Sequence, residues 1–209
     1  MESGKSGLYY TNKIVRAYLY ALEEVLGVNG LKAVMRKAGL EAYIDNFPPD
    51  NLKSEFDFAD FTSLNAALEE VYGPRGGRGL ALRAGRLGLL GSLKDFGALA
   101  GVSDKAFQVL PLKLKLKVGL PAMARVFTQF SDQVSHVLDE GDHYVYTLER
   151  CPMCHNRKAD KPVCFAAMGV IQGGLEWVSG GRRFQIDMQS CMAAGDDMGR
   201  ILIGKEPID

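Results

Sequence analysis

All four cysteines of this chain fall between positions 151 and 191: the pair Cys151-Pro-Met-Cys154, then Cys164, then Cys191. Thiols used only as small core residues would scatter along 209 residues, so this confinement points to one task that ties separated stretches of chain together. A Cys-x2-Cys pair can bite one metal ion, and structural zinc takes four such ligands in a tetrahedron. Buried thiolates are tolerated where a cation compensates them. The spacing therefore predicts a structural zinc site built by Cys151, Cys154, Cys164 and Cys191. Other readings stay open. Cys151-Pro-Met-Cys154-His155 fits covalent c-type haem attachment, the pair alone fits a redox dithiol, and four free buried thiols are the plainest use. The opening residues, Met1-Glu2-Ser3-Gly4-Lys5-Ser6, lack the apolar core of a signal peptide. A cytoplasmic setting is expected, which disfavours haem attachment and disulfides alike.

Charge narrows the partners. Lys plus Arg and Asp plus Glu each number 25, so the chain lacks the positive field that nucleic-acid binding uses. The local run Arg75, Arg78, Arg83, Arg86 reads as a solvated helix face. No apolar run approaches the roughly 18 residues of a membrane span.

Hydrophobic spacing divides the chain. Ile14, Tyr18, Leu22 and Val25 form a helical stripe that Gly27 ends, and a second short helix runs from Asn29 to Lys37. Residues 1–55 are expected to form an N-terminal helical arm suited to dimerisation, and 56–209 a ligand-binding domain. Phe61, Leu64, Leu68 and Val71 mark a helix broken at Gly73-Pro74, and another runs from Gly79 to Phe96, where Gly85, Gly88 and Gly91 would admit a close neighbour. Ser103 can cap a further helix. Leu110 to Val118 alternates apolar and lysine residues at strand spacing, yet Leu112, Leu116, Leu120, Met123 and Phe127 also share one helical face; without β-branching the helix is preferred, with Pro121 restarting or kinking it. After Phe130 the period becomes two. A hairpin turns at Glu140-Gly141-Asp142, a helix follows Pro162 with Cys164 in its first turn, and two strands close the chain. Helices followed by β-β-α-β-β predict an α+β fold, an antiparallel sheet of about four strands packed with helices. Cys164, near unpaired helix amides, is expected to hold its charge as thiolate.

The run Asp160-Lys161-Pro162-Val163-Cys164, then Gly169, Trp177 and Cys191-Met192-Ala193-Ala194-Gly195-Asp196, resembles the 4-vinyl reductase domain family. That family includes hydrocarbon-binding proteins, a bacteriochlorophyll-synthesis protein and phenol-sensor domains, and is similar in fold to transport-particle subunits. Met188 and Gly199 stand where the sensor branch carries two further zinc ligands, and Cys151 and Cys154 would replace them. The resemblance implies a buried apolar pocket for a hydrophobic or aromatic small molecule, with Phe165, Met168 and Trp177 on the helix beside the cysteines as candidate contacts. It also implies an alternative, an enzyme or accessory factor in tetrapyrrole vinyl reduction. The residues favour binding over catalysis, because the chain has no dinucleotide fingerprint, nucleophile elbow or histidine-carboxylate motif. An assembly or scaffold protein acting through the N-terminal helices is a third reading, with a homodimer as the expected state.

Overall fold

The computed structural model describes residues 4–99, 101 and 105–208; Ser103 lies outside them. Six strands and five helices follow in the order β1 (Tyr9–Thr11), α1 (Asn12–Lys37), β2 (Ser54–Asp57), α2 (Phe58–Leu99), α3 (Lys105–Gln108), α4 (Leu112–Phe130), β3 (Val134–Asp139), β4 (His143–Arg150), α5 (Phe165–Ser179), β5 (Phe184–Ser190) and β6 (Gly199–Pro207). The architecture is the α+β arrangement the spacing predicts, with a four-stranded antiparallel sheet in the order β3-β4-β6-β5.

The breaks fall where the residues require them. Gly27 and Gly73 leave the helical region at φ 71° and 75°, so α1 and α2 are each two helices joined at a kink, and Pro74 opens the second segment of α2. Helix α4 takes the whole ambiguous Leu-Lys run and continues through Pro121, burying Leu116, Leu120 and Phe127. The alternation of apolar and lysine residues there marks two sides of a helix.

One ribbon was not legible. β1 pairs antiparallel with β2, and strands of three and four residues are too short for a periodic signal. Asp57 ends this ribbon and caps α2. Its carboxylate accepts from the Ala59 amide at 2.8 Å, from the Ser6 hydroxyl at 2.7 Å and from the Ser6 and Gly7 amides. Of the segment expected to form an arm, Tyr10, Leu19 and Leu22 lie in one core cluster with Leu64, Ile171 and Ile201.

Helices α2 and α5 cross at very short range. A methyl placed on Gly169 would lie 1.9 Å from the Leu82 carbonyl oxygen, and one on Gly85 would lie 2.1 Å from the Ala166 carbonyl oxygen. Only hydrogen fits at either position. Across the crossing Arg86 donates from Nε and Nη2 to both Glu176 oxygens, at 2.5 and 2.7 Å. Thr62 on α2 then anchors the cysteine loop, donating to the Pro152 carbonyl at 2.7 Å and accepting from the His155 amide at 3.1 Å.

Candidate functional site

The structure brings the thiols together. Cys151 follows β4, Cys154 lies in the next turn, Cys164 precedes α5 and Cys191 follows β5, and all four are buried. The Cys151 and Cys164 sulfurs are 3.3 Å apart, and those of Cys164 and Cys191 are 3.4 Å apart. Burial opposes ionisation of Cys151, but hydrogen bonds from Cys154 and Cys164 outweigh it and hold that thiol down, to about 5. Cys164, bonded to Cys151 first and to its other neighbours, is pushed well above the ordinary thiol value. The charge expected on Cys164 is therefore opposed by its sulfur neighbours and favoured on Cys151 instead. Cys151, Cys154 and Cys164 lie within 4.8 Å of one another, and Cys191 is outside that set. A zinc tetrahedron with bonds of about 2.3 Å would place its sulfurs about 3.8 Å apart on every edge. Two of the spacings here, 3.3 and 3.4 Å, are shorter than that edge.

A second site lies in the interior, a cavity of about 110 Å³ between α1, α2, α4, α5 and the sheet. Its buried end is formed by Tyr10, Tyr18, Phe61, Leu120, Phe127 and Tyr146, and its half-buried end by Leu89, Ser92, Leu93, Lys115, Trp177 and Val178. The polar tips at the buried end are engaged. Tyr10 donates to Gln133 Oε1 at 2.5 Å, Gln133 donates to Ser135 Oγ at 2.7 Å, and Tyr18 donates to Asn65 Oδ1 at 2.8 Å. Burial pushes the Tyr10, Tyr18 and Tyr146 phenols up, so none ionises near neutrality. The walls are apolar, and their hydroxyl groups serve the wall itself.

Of the residues the sequence offered as ligand contacts, Trp177 lines this cavity and stacks on Phe107 at 6.3 Å. Met168 is buried in the core, and Phe165 packs under the Arg78 guanidinium at 5.6 Å; neither is among the lining residues. The aromatic end was not anticipated. Its signal was the stripe carrying Ile14 and Tyr18 and the α4 face carrying Leu116, Leu120, Met123 and Phe127, all of which line the cavity except Leu112 of that face. Periodicity alone cannot separate a filled core from a hollow one.

No family model matches the sequence, and no curated protein matches it. Solved structures do match. An oxygen-binding H-NOX domain related to soluble guanylate cyclases, in its oxygen complex, has a TM-score of 0.58 at 13% identity, over 95% of this chain and 97% of its own. A mutant H-NOX from T. tengcongensis has a TM-score of 0.54 at 11% identity, over 95% of this chain and 100% of its own. A protein described by the modulation of haem redox potential through porphyrin distortion has a TM-score of 0.58 at 12% identity, over 92% of this chain and 97% of its own. At these identities the likeness shows the fold, which is that of H-NOX domains.

Two expectations are corrected by this. The resemblance to 4-vinyl reductase domains, and through them to transport-particle and phenol-sensor folds, gives way to H-NOX. The short pieces that carried it are local packing devices, since Val163, Cys164, Cys191 and Ala193 are buried at one corner of the core. Structural zinc gives way with it. One of the matching structures is described by its haem, and a buried triad of hydrogen-bonded thiols is not by itself a zinc centre.

The residues present do not fit a haem either. His136, His143 and His155, the only histidines, lie on β3, on β4 and in the cysteine loop, and none lines the cavity. Among the described residues no arginine lines it to meet propionates, and Lys115 is its one cation. A volume of about 110 Å³ is well below the roughly 300–1,000 Å³ of pockets for drug-sized ligands. Cys151 and Cys154, the thiols of the Cys-x-x-Cys-His run, are turned into the buried cluster.

Proposed function

We propose that this chain is a haem-independent small-molecule binding domain of sensory type, and that its ligand is a compact, uncharged apolar molecule the size of a single aromatic ring or a short hydrocarbon. The cavity carries this reading. An apolar cavity of about 150 Å³ stays dry and takes benzene or xenon, and the space here is slightly smaller and lined by similar groups. Trp177 at its half-buried end would contact the ligand and report its entry. Sensing is supported by the fold, because an oxygen-binding relative in structure is described as related to guanylate cyclases. Binding is favoured over catalysis because the buried phenols are hydrogen-bonded and held un-ionised, which leaves no poised acid or base at the ligand.

Thermal unfolding of the full chain with benzene, toluene or phenol tests this. A ligand at a hundredfold excess over its Kd stabilises by about 2.7 kcal/mol, which raises Tm by roughly 5–11 °C in a chain of this size. Trp177, the only tryptophan, should change its emission in parallel. Absence of any shift across such ligands, or stoichiometric uptake of added haem with a Soret band, overturns the reading.

A further inference from the structure

The first half of α4 carries a surface that neither the core nor the cavity uses. Leu114 and Val118, one helical turn apart, are 46% and 49% exposed, and Val109 just before the helix is 81% exposed. The sequence Leu-Lys-Leu-Lys-Leu-Lys-Val from Leu112 to Val118 winds so that Lys113, Leu114, Lys117 and Val118 share the outer strip while Leu116 and Leu120 turn inward. Between Asp104 and Asp132 there is no acidic residue, whereas Lys105, Lys113, Lys115, Lys117 and Arg125 are all cationic. In a chain whose charges balance overall, this is a segregated positive face. Among the described residues its one ion pair, Lys113 with Glu206 at 3.3 Å, is between two side chains that are 81% and 69% exposed, so it neutralises little.

We propose that this face of α4 docks on an anionic lipid surface. The partner must be negative. A second copy related by a two-fold axis would set the same cations against each other. Between an acidic protein and a membrane, the aliphatic residues decide. Val109, Leu114 and Val118 stand among lysines, the arrangement of an interfacial helix whose apolar side chains enter the headgroup and acyl boundary while lysine stems carry their charge to the phosphates. The strip also adjoins the half-buried end of the cavity, because Lys115 and Gly119, next round the helix, line it. Docking would therefore present the cavity to the bilayer, where apolar molecules concentrate. That consequence rests on the binding function proposed above; the docking itself rests only on the surface of α4.

Sedimentation of the full chain with vesicles of phosphatidylcholine alone, or of equal phosphatidylcholine and phosphatidylserine, tests the docking. Binding to the mixed vesicles only is expected, falling as salt shortens the Debye length. Lys113→Gln with Lys117→Gln should weaken it roughly 25-fold, at about fivefold per lysine. Leu114→Ser with Val118→Ser should weaken it too, without changing its salt dependence, and Lys53→Gln on another face should not. These side chains are exposed, so circular dichroism should be unaltered. Should a double variant lose its fold, Lys117→Gln alone carries the test with a fivefold loss. Equal binding to both vesicles, binding to neither, or full binding by the lysine variants overturns the proposal. So does a dimer that Leu114→Ser dissociates, which would give the face to a second copy. A tight complex with an acidic protein and none with vesicles would give it to a protein partner. Failure here leaves thermal shifts with apolar ligands unaffected, so the two readings fall separately.

Discussion

The α2–α5 crossing gives a test with two opposite signs from one chemical change. Replacing glycine by alanine inside a helix ordinarily stabilises by about 1 kcal/mol, because alanine has less backbone freedom to lose. Gly79 on α2 should show that gain: it is exposed, and nothing lies within 4 Å of an added methyl. Gly169 on α5 should not. Its methyl would sit 1.9 Å from the Leu82 carbonyl oxygen, 2.8 Å from that carbonyl carbon and 2.9 Å from the Arg86 nitrogen, all backbone atoms of α2 that no rotamer change can clear. The helices must part by more than an ångström, and overpacking of this kind costs about 1–3 kcal/mol or more. With backbone on both sides the upper figure applies, so the net loss is about 2 kcal/mol after the helix-propensity gain. In a chain of this length that lowers Tm by roughly 4–8 °C, while Gly79→Ala should raise it by roughly 1–4 °C. Urea unfolding followed by circular dichroism, with m unchanged, separates the two as shifts in midpoint. If Gly169→Ala matches or exceeds the wild type while Gly79→Ala behaves as stated, the helices are not in backbone contact and the description of the crossing fails.

Three other outcomes follow from the same geometry. Burial opposes ionisation of Asp57, but the hydrogen bonds from Ser6, Ala59 and Gly7 prevail and hold its carboxyl below the ordinary value. Its stabilisation is complete above about pH 3.9, the unfolded value, and is lost as pH falls further through the folded one. Asp57→Asn should thus cost about 1–2 kcal/mol at pH 7, and the gap to wild type should close in urea melts at pH 3; an equal gap at both pH values counts against this. Glu176→Gln weakens the two-point contact with Arg86, whose side chains are 37% and 31% exposed, so the loss should be no more than about 1 kcal/mol and should shrink in high salt; a larger, salt-independent loss would mean the pair is effectively buried. Phe61→Ala should cost about 3–5 kcal/mol by opening the buried end of the cavity, and two-ring apolar ligands should then shift Tm more than in the wild type. No preference for larger ligands would place the binding site elsewhere.

The readable parts of this fold are those where one side chain in three or four, or one in two, has a single destination. The stripe at Ile14, Tyr18 and Leu22, the break at Gly73-Pro74 and the hairpin around Gly141 all convert directly into elements. The β-β-α-β-β order then fixes an antiparallel sheet, because the hairpin pairs its own strands and β6 pairs with both β4 and β5. The ribbon β1–β2 was hidden because its hydrogen bonds are made with residues about 45 positions away, and three or four residues cannot show a period. At the cysteines the sequence discloses convergence and conceals chemistry. Spacing pointed to Cys151, Cys154, Cys164 and Cys191 at one corner, but a Cys-x-x-Cys pair serves a metal, a redox couple or a packed core equally well.

The same distinction shows how a fold shared with a haem-associated structure can enclose a smaller cavity. A large planar cofactor needs an axial donor, cationic partners for its carboxylates and several hundred cubic ångströms of space. Here the interior is occupied by Tyr10, Tyr18, Phe61 and Tyr146, and the edge contacts of Tyr10 with Phe58 and Phe61, at 5.6 and 5.2 Å, lock the rings against one another. Gln133 in the lining, with Ser135 and Asn65 behind it, then fixes the phenol tips. Moving any ring outward would strand a buried hydroxyl or its partner, at a cost of about 1–3 kcal/mol each. The polar network at the wall therefore sets the depth of the cavity, the aromatic layer sets its chemistry, and the α2–α5 crossing sets its width, since Gly85 and Ala166 belong both to the helix contact and to the lining. The space such a fold encloses is decided in part by residues that do not line it, Asn65 and Ser135 among them.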